Sequence, residues 1–195
     1  MTVHPRRARE IARTRQDILE AAARAFARNG YQAVTMQEIA KEAGYTAASL
    51  YSYFSSKEEI LHGLQQLVLA EMHSIFEQPI PSGIPLREKL LLLFERQLEL
   101  ARKRREIAGL LHMGAGSTSD HCEMHRQRFD RLVDFLRTQA KPEELGGVSP
   151  EDVAMMLTGL GGGYFMEWLQ HGDDRWIAEK FTQAIDVLLL GLARA

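Results

Sequence analysis

Tyr45, Thr46, Ser49, Tyr51, Tyr53 and Lys57, all between positions 45 and 57, are side chains suited to binding through hydrogen bonds or charge. Phenols, hydroxyls and an ammonium donate to phosphate oxygens, Thr46 and Ser49 also suit base edges, and Ala47 among them fits a thymine methyl. Arg6, Arg7 and Arg9 precede this group, followed by Arg13 and Arg15. Bond-breaking chemistry has no comparable cluster. The chain holds neither a Gly-x-Ser-x-Gly elbow nor a His-Glu-x-x-His pair. Gly159 to Gly163 lacks the strand-turn-helix setting of a dinucleotide loop, and Gly114-Ala115-Gly116-Ser117 lacks a third glycine and a lysine, so neither cradles a phosphate.

His121, Cys122 and His125, with His112 nearby, invite a metal reading because His121 and His125 stand one helical turn apart. No Cys-x-x-Cys or second paired-ligand motif accompanies them, and a hydrated polar turn is the simpler reading. Neither a metal nor a cofactor is expected.

The formal net charge of -2 names no partner, but its distribution does. Residues 1–28 hold seven arginines against Glu10, Asp17 and Glu20, a net +4, whereas residues 61–195 hold 15 basic and 19 acidic side chains, a net -4. A basic front on an acidic body points to a polyanion; the bland alternative is a solvated tail. Arg102-Lys103-Arg104-Arg105 reads as a solvated helix end. Apolar residues make up 45% of the 195-residue chain and charged residues 26%, which is globular usage. The longest apolar stretch, Val187 to Ala193, is far short of the roughly 20 residues a spanning helix needs. No apolar segment follows the leading arginines, which excludes a secretory signal, and Cys122 is the only cysteine. A cytoplasmic protein without membrane contact is expected.

These groups need elements to position them, and apolar residues recur at helical spacing nearly throughout, as in Ile11, Ile18, Ala22, Ala25 and Phe26. No strand pattern appears, so the fold class is all-α with about nine helices. Helix 1 runs from about Arg9 to Arg28 and stops at Asn29-Gly30. Thr35 with Glu38 is a capping box that opens helix 2, Gly44 closes it, and helix 3 starts at Thr46. Ser56 with Glu59 is a second capping box for helix 4, which continues to about Phe76, before Pro79, Pro81 and Pro85. Helix 5 covers about Leu86 to Arg104, helix 6 Ile107 to Met113, and helix 7 opens at Asp120 with Glu123. Ser149 and Pro150 open helix 8, and Asp173 or Asp174 caps helix 9.

Two short helices about a glycine have helix-turn-helix spacing. The run from Thr35 to Glu59, TMQEIAKEAGYTAASLYSYFSSKEE, resembles the DNA-binding signature of the tetracycline-repressor (TetR) family. The motif covers about 25 residues; the rest of the chain resembles the family in length and helix pattern. The resemblance implies an N-terminal three-helix DNA-binding domain (residues 1–55) and a C-terminal helical ligand-binding and dimerisation domain (residues 56–195). It implies a homodimer that sets the second helix of each motif in the major groove of a two-fold operator, and a small apolar or amphipathic effector that weakens DNA binding. The DNA-contacting set is then Thr35, Tyr45, Thr46, Ala47, Ser49, Tyr51, Tyr53 and Lys57 with Arg6, Arg7 and Arg9. Family members often carry Lys, Arg or Gly where Ala47 and Ala48 stand, so no arginine of this helix reads guanine. Affinity leans on phosphate contacts from Tyr51, Tyr53, Lys57 and the leading arginines. For Lys57 a solvated lysine is the rival reading, and Phe54 reads as core.

In the C-terminal body helix 8 carries Val153, Met156, Leu157, Leu160, Tyr164 and Trp168 on a stripe, and helix 9 carries Ile177, Phe181, Ile185, Leu188 and Leu192. Val153, Leu157, Leu160, Gly161, Phe181, Ile185 and Leu188 are the candidate dimer interface. Glycines inside helix 8 cost about 1 kcal/mol each relative to Ala, which close approach across a two-fold axis, a helix break or room for a ligand would explain. Phe94, Leu98, Met113, Met124 and Phe129, with Met156, Tyr164 and Trp168, are the candidate effector pocket, since Met and aromatic side chains adapt to apolar ligands; core filling is the competing reading. The rival functions are a helical interaction module and a small helical enzyme, both without DNA binding. The expectation is a non-enzymatic transcription regulator, a repressor.

Overall fold

The computed structural model describes the backbone of residues 5–112 and 118–192, and their side chains except at 5, 106, 110–112, 118–121 and 192. Among the described residues all regular structure is helical: α1 (Pro5–Asn29), α2 (Met36–Ala43), α3 (Ala47–Tyr51), α4 (Lys57–Glu77), α5 (Leu86–Lys103), α6 (Arg105–His112), α7 (Thr118–Gln139), α8 (Pro150–His171) and α9 (Asp174–Leu192). None of them is long and apolar enough to cross a membrane.

Local chemistry sets most of the boundaries. Thr35 Oγ1 accepts from the Glu38 amide while Glu38 accepts from the Thr35 amide, closing the capping box of α2. Ser149 Oγ accepts the Asp152 amide at 3.1 Å with Pro150 at the first helical position of α8. Asp173, not Asp174, caps α9, its Oδ1 accepting the amides of Arg175 and Trp176 at 3.0 Å. Elsewhere the structure differs from the reading. α1 starts at Pro5, where a missing N–H costs nothing, and Arg6 pairs with Glu10 one turn on. α7 starts at Thr118, ahead of Asp120, whose side chain lies outside the described residues, and Glu123 pairs with Arg126 at 2.6 Å. A 3₁₀ turn, Pro142–Leu145, precedes α8.

The chain forms two compact units, one of Met1–Val68 with Glu106–His121 and one of Leu69–Arg105 with Cys122–Ala195. The division falls inside α4 and not at residue 55. Ile60, Leu61 and Leu64 are buried, and a Cβ on Gly63 would lie 2.9 Å from a Leu19 methyl, so the first half of α4 closes on α1. α1 also packs on α2, and α2 on α3. The buried Ala21, Ala22 and Ala25 keep α1 slim, and Ile18, Phe26, Ile39 and Leu50 fill this core.

In the second unit α5 and α8 pack on α9 around Leu86, Leu90 and Leu93 of α5, Val133 and Leu136 of α7, Val153 and Leu157 of α8, and Phe181 and Ile185 of α9. That placement corrects the interface reading for Val153, Leu157, Phe181 and Ile185: all are at most 8% exposed and serve this chain's own core. Leu188 is packed partly against the same core, and a Cβ on Gly161 would point at Phe181, 3.7 Å away. The outward face carries Met155 (62% exposed), Met156, Leu160, Val187 (72%) and Leu190. Gly159, Gly163 and Gly191 have open space above them.

Candidate nucleic-acid interface

Gly44 ends α2 with φ +76°, a conformation that strains any side chain bearing a Cβ, and the Tyr45 amide returns to the Ala40 carbonyl at 2.8 Å. Thr46 then caps α3, its Oγ1 accepting the Ser49 amide at 3.1 Å. Leu50 is the inward anchor, fully buried, and the amides of Tyr53 and Phe54 fold back on its carbonyl at 2.9 and 3.0 Å. Opposite that anchor Thr46, Ala48, Tyr51 and Ser52 are exposed, and Tyr45, Ala47, Ser49 and Tyr53 are half-buried at the margins. Tyr51 is 50% exposed, a large aromatic facing water beside a buried leucine.

Two cations missed as positioning groups hold this face in place. The Arg15 guanidinium lies 4.0 Å above the Phe54 ring, donates to the Tyr53 carbonyl and meets Glu59 Oε1 at 3.4 Å. Glu59 Oε2 in turn accepts the amide and hydroxyl of Ser55 at 2.7 and 2.8 Å, so the reciprocal half of the α4 cap engages Ser55 and not Ser56. The Ser55 amide, then its hydroxyl, then Arg15 hold the Glu59 carboxyl below its usual pKa.

Lys57 is the second. Its Nζ donates to the carbonyls of Tyr31 (2.7 Å), Gln32 (3.2 Å) and Val34 (3.0 Å) and lies 4.5 Å from the Tyr31 ring centroid. An ammonium has three hydrogens, and three carbonyls accept them. Lys57 is therefore a clamp on the α1–α2 loop, which corrects both readings of it, phosphate contact and solvated lysine. The Thr35 hydroxyl is likewise engaged with Glu38.

Of the seven leading arginines, Arg24 and Arg28 bind Glu42 across α1 and α2, at 3.2 and 2.6 Å, and Arg28 first, then Arg24, depress its pKa. Arg6, Arg7, Arg9 and Arg13 are exposed on the N-terminal half of α1. The first turn of α1 has no acidic residue, so cations stand where the helix macrodipole favours anions.

In the second unit Phe94 stacks on Phe181 with centroids 3.7 Å apart, and Leu98 and Trp168 form a cluster with Ile177. Trp168 donates from Nε1 to Asp174 at 2.6 Å. Met124 is buried, Phe129 packs on the core, and Tyr164 lies edge-on to Trp176. Met156 is 44% exposed on the outer face, which removes it from a pocket. Met113 lies outside the described residues, as do the side chains of His112, His121 and Leu192. Cys122 is exposed, and the described residues contain no group of three metal-ligating side chains.

Comparison with known proteins agrees with this geometry. The family model of bacterial regulatory proteins, tetR family, matches residues 18–64. The chain is 34% identical over 136 residues to the HTH-type transcriptional regulator TtgR of Pseudomonas putida, a match over 66% of this chain and 64% of that protein, just under two thirds. It is 30% identical over 173 residues to the HTH-type transcriptional regulator AcrR of Shigella flexneri, over 82% of this chain and 80% of that protein. In fold it is similar to SmeT, the repressor of the Stenotrophomonas maltophilia multidrug efflux pump SmeDEF, with a TM-score of 0.74 at 23% identity, over 91% of this chain and 89% of that one.

Proposed function

The chain belongs to the tetR family of bacterial regulatory proteins, and from that premise we propose that it is a non-enzymatic transcription regulator, a repressor that binds a palindromic operator as a homodimer and is released by a small apolar or amphipathic ligand. One observation carries the DNA-binding part. α3 buries Leu50 and turns Thr46, Ala48 and Tyr51 outward, on a face with no apolar cluster that would call for a protein partner. Tyr51 and Tyr53 supply phosphate contacts, Ser49 and the unused donor of Thr46 supply base contacts, and Ala47 meets a thymine methyl. Arg6, Arg7 and Arg9 supply sequence-independent affinity from the N-terminal end of α1.

Dimerisation uses the outward face of α8 and α9: Met155, Met156 and Leu160 with Val187 and Leu190. The open glycines Gly159, Gly163 and Gly191 permit the close backbone approach that offsets their helix penalty. α4, beginning with the Lys57 clamp and ending at Glu77, has residues in both units, as α6 and α7 do, and its start is tied to the DNA-binding half, which makes it our candidate carrier of a ligand signal. The reading as a repressor follows the similarity to SmeT.

Titrating a fluorescent duplex pool at two salt concentrations tests the proposal. Binding that weakens steeply with salt, by a species sedimenting at twice the chain mass, supports it; salt-independent or absent binding removes it.

A further inference from the structure

α7 turns one face inward. Met124 is buried, Phe129 and Leu132 pack against the core of the second unit, and Val133, Phe135 and Leu136 are buried in it. On that face, one turn after Met124 and one turn before Leu132, stands Arg128, a half-buried cation in an apolar row. Other half-buried cations of this unit have partners: Arg87 meets Asp186 at 2.5 Å, Arg104 meets Glu71 at 2.9 Å, and Lys89 meets the Gln139 carbonyl at 2.7 Å. Arg128 has no hydrogen bond or ion pair with any described residue.

Arginine cannot escape that situation by losing its proton, as a buried lysine does, so the charge persists and the described residues supply no counter-charge. Burial alone, with no charged neighbour contributing, pulls the Arg128 pKa below the usual arginine value. The Arg128 side chain is desolvated by the protein around it yet keeps part of its surface accessible. A guanidinium is a fork of parallel donors, matched by the two oxygens of a carboxylate.

We propose that Arg128 reads the carboxylate of an amphipathic organic acid, the effector of this regulator, while Met124 and its apolar neighbours on α7 meet the apolar part. The proposal rests on the reading of the chain as a ligand-responsive regulator and adds the chemical class of the ligand. Arg128 has no counter-charge among the described residues, and binding supplies one, so ligand and α7 are coupled through one residue.

The test is calorimetric titration of the full-length protein with octanoate, dodecanoate and naphthoate, each beside its neutral alcohol, with sodium chloride and sulfate as controls. At least one acid should bind tenfold or more tightly than its alcohol, a difference of about 1.4 kcal/mol. Arg128→Gln should abolish that preference while keeping the alcohol affinity, and Arg128→Lys should retain part of it. Without ligand, Arg128→Met should melt no lower than the parent, because it removes a charge that no described residue pairs. The proposal is overturned if no acid outbinds its alcohol, if chloride or sulfate alone matches the acids, or if Arg128→Met unfolds the chain, which would make the arginine structural. Operator binding measured in parallel separates the two readings. A protein that binds DNA and ignores every acid loses only this inference, and one that binds the acids but no DNA loses the regulatory reading.

Discussion

Lys57 Nζ lies 2.7 Å from the carbonyl oxygen of Tyr31, a residue 26 positions earlier in the chain. With the carbonyls of Gln32 and Val34 beside it, the first residue of α4 closes the loop that leads into α2. Hydrogen bonds from a charged donor contribute about 1.5–3 kcal/mol. Lys57→Met should therefore lower stability by roughly that amount in chemical denaturation. It should leave the salt dependence of DNA binding unchanged, whereas loss of one phosphate contact would reduce the slope by about 0.9.

Tyr51 is 50% exposed while its neighbour Leu50 on α3 is fully buried, so its truncation removes little from the core of the unit. Tyr51→Ala should weaken operator binding about tenfold, or about 1.4 kcal/mol, with dimer and melting temperature unchanged. Fluorescence anisotropy with Tyr51→Phe beside it separates the hydroxyl from the ring. Equal affinity of all three proteins would take Tyr51 out of the interface.

The two faces of α8 answer differently to substitution. Leu160→Glu with Val187→Glu should give a folded monomer in sedimentation, because both side chains lie on the outer face. Leu157→Ala should keep the dimer and cost about 2–5 kcal/mol, the range for truncating a buried leucine. The reverse pattern would return the interface to Leu157.

Acid should loosen the first unit through its caps. Glu38, Glu42 and Glu59 all have pKa values below the usual 4.5, Glu38 and Glu59 chiefly through backbone amides and Glu42 through Arg28. A carboxylate with a depressed folded-state pKa stabilises the fold above its unfolded value and loses that contribution as the pH falls through the folded one. Melting temperature should therefore drop below a pH of about 4.5, and less steeply in Glu59→Gln. A parallel decline in both proteins would exclude Glu59 from the effect.

Where a boundary depends on neighbours in sequence it was legible there: Thr35 with Glu38, Gly44, Ser149 with Pro150 and Asn29-Gly30 each act within one turn. What escaped depends on distance or on phase. Nothing near Lys57 announces that its partners lie 23 to 26 residues back, and nothing near Arg15 names Tyr53 and Glu59. α8 is apolar on more than one side, so its periodicity marks a helix without saying that Val153 and Leu157 face this chain's core while Met155, Met156 and Leu160 face away. Nothing in the sequence singles out Arg128; its lack of a partner among the described residues is visible only in three dimensions.

The most direct test of α3 as the DNA-reading element is selection of bound duplexes from a random pool by the purified protein. Recovery of an inverted repeat, with half-sites about one helical turn apart and a preference that changes with Ser49→Ala, is the predicted result. A pool that stays random at low salt, where phosphate contacts are strongest, would contradict it.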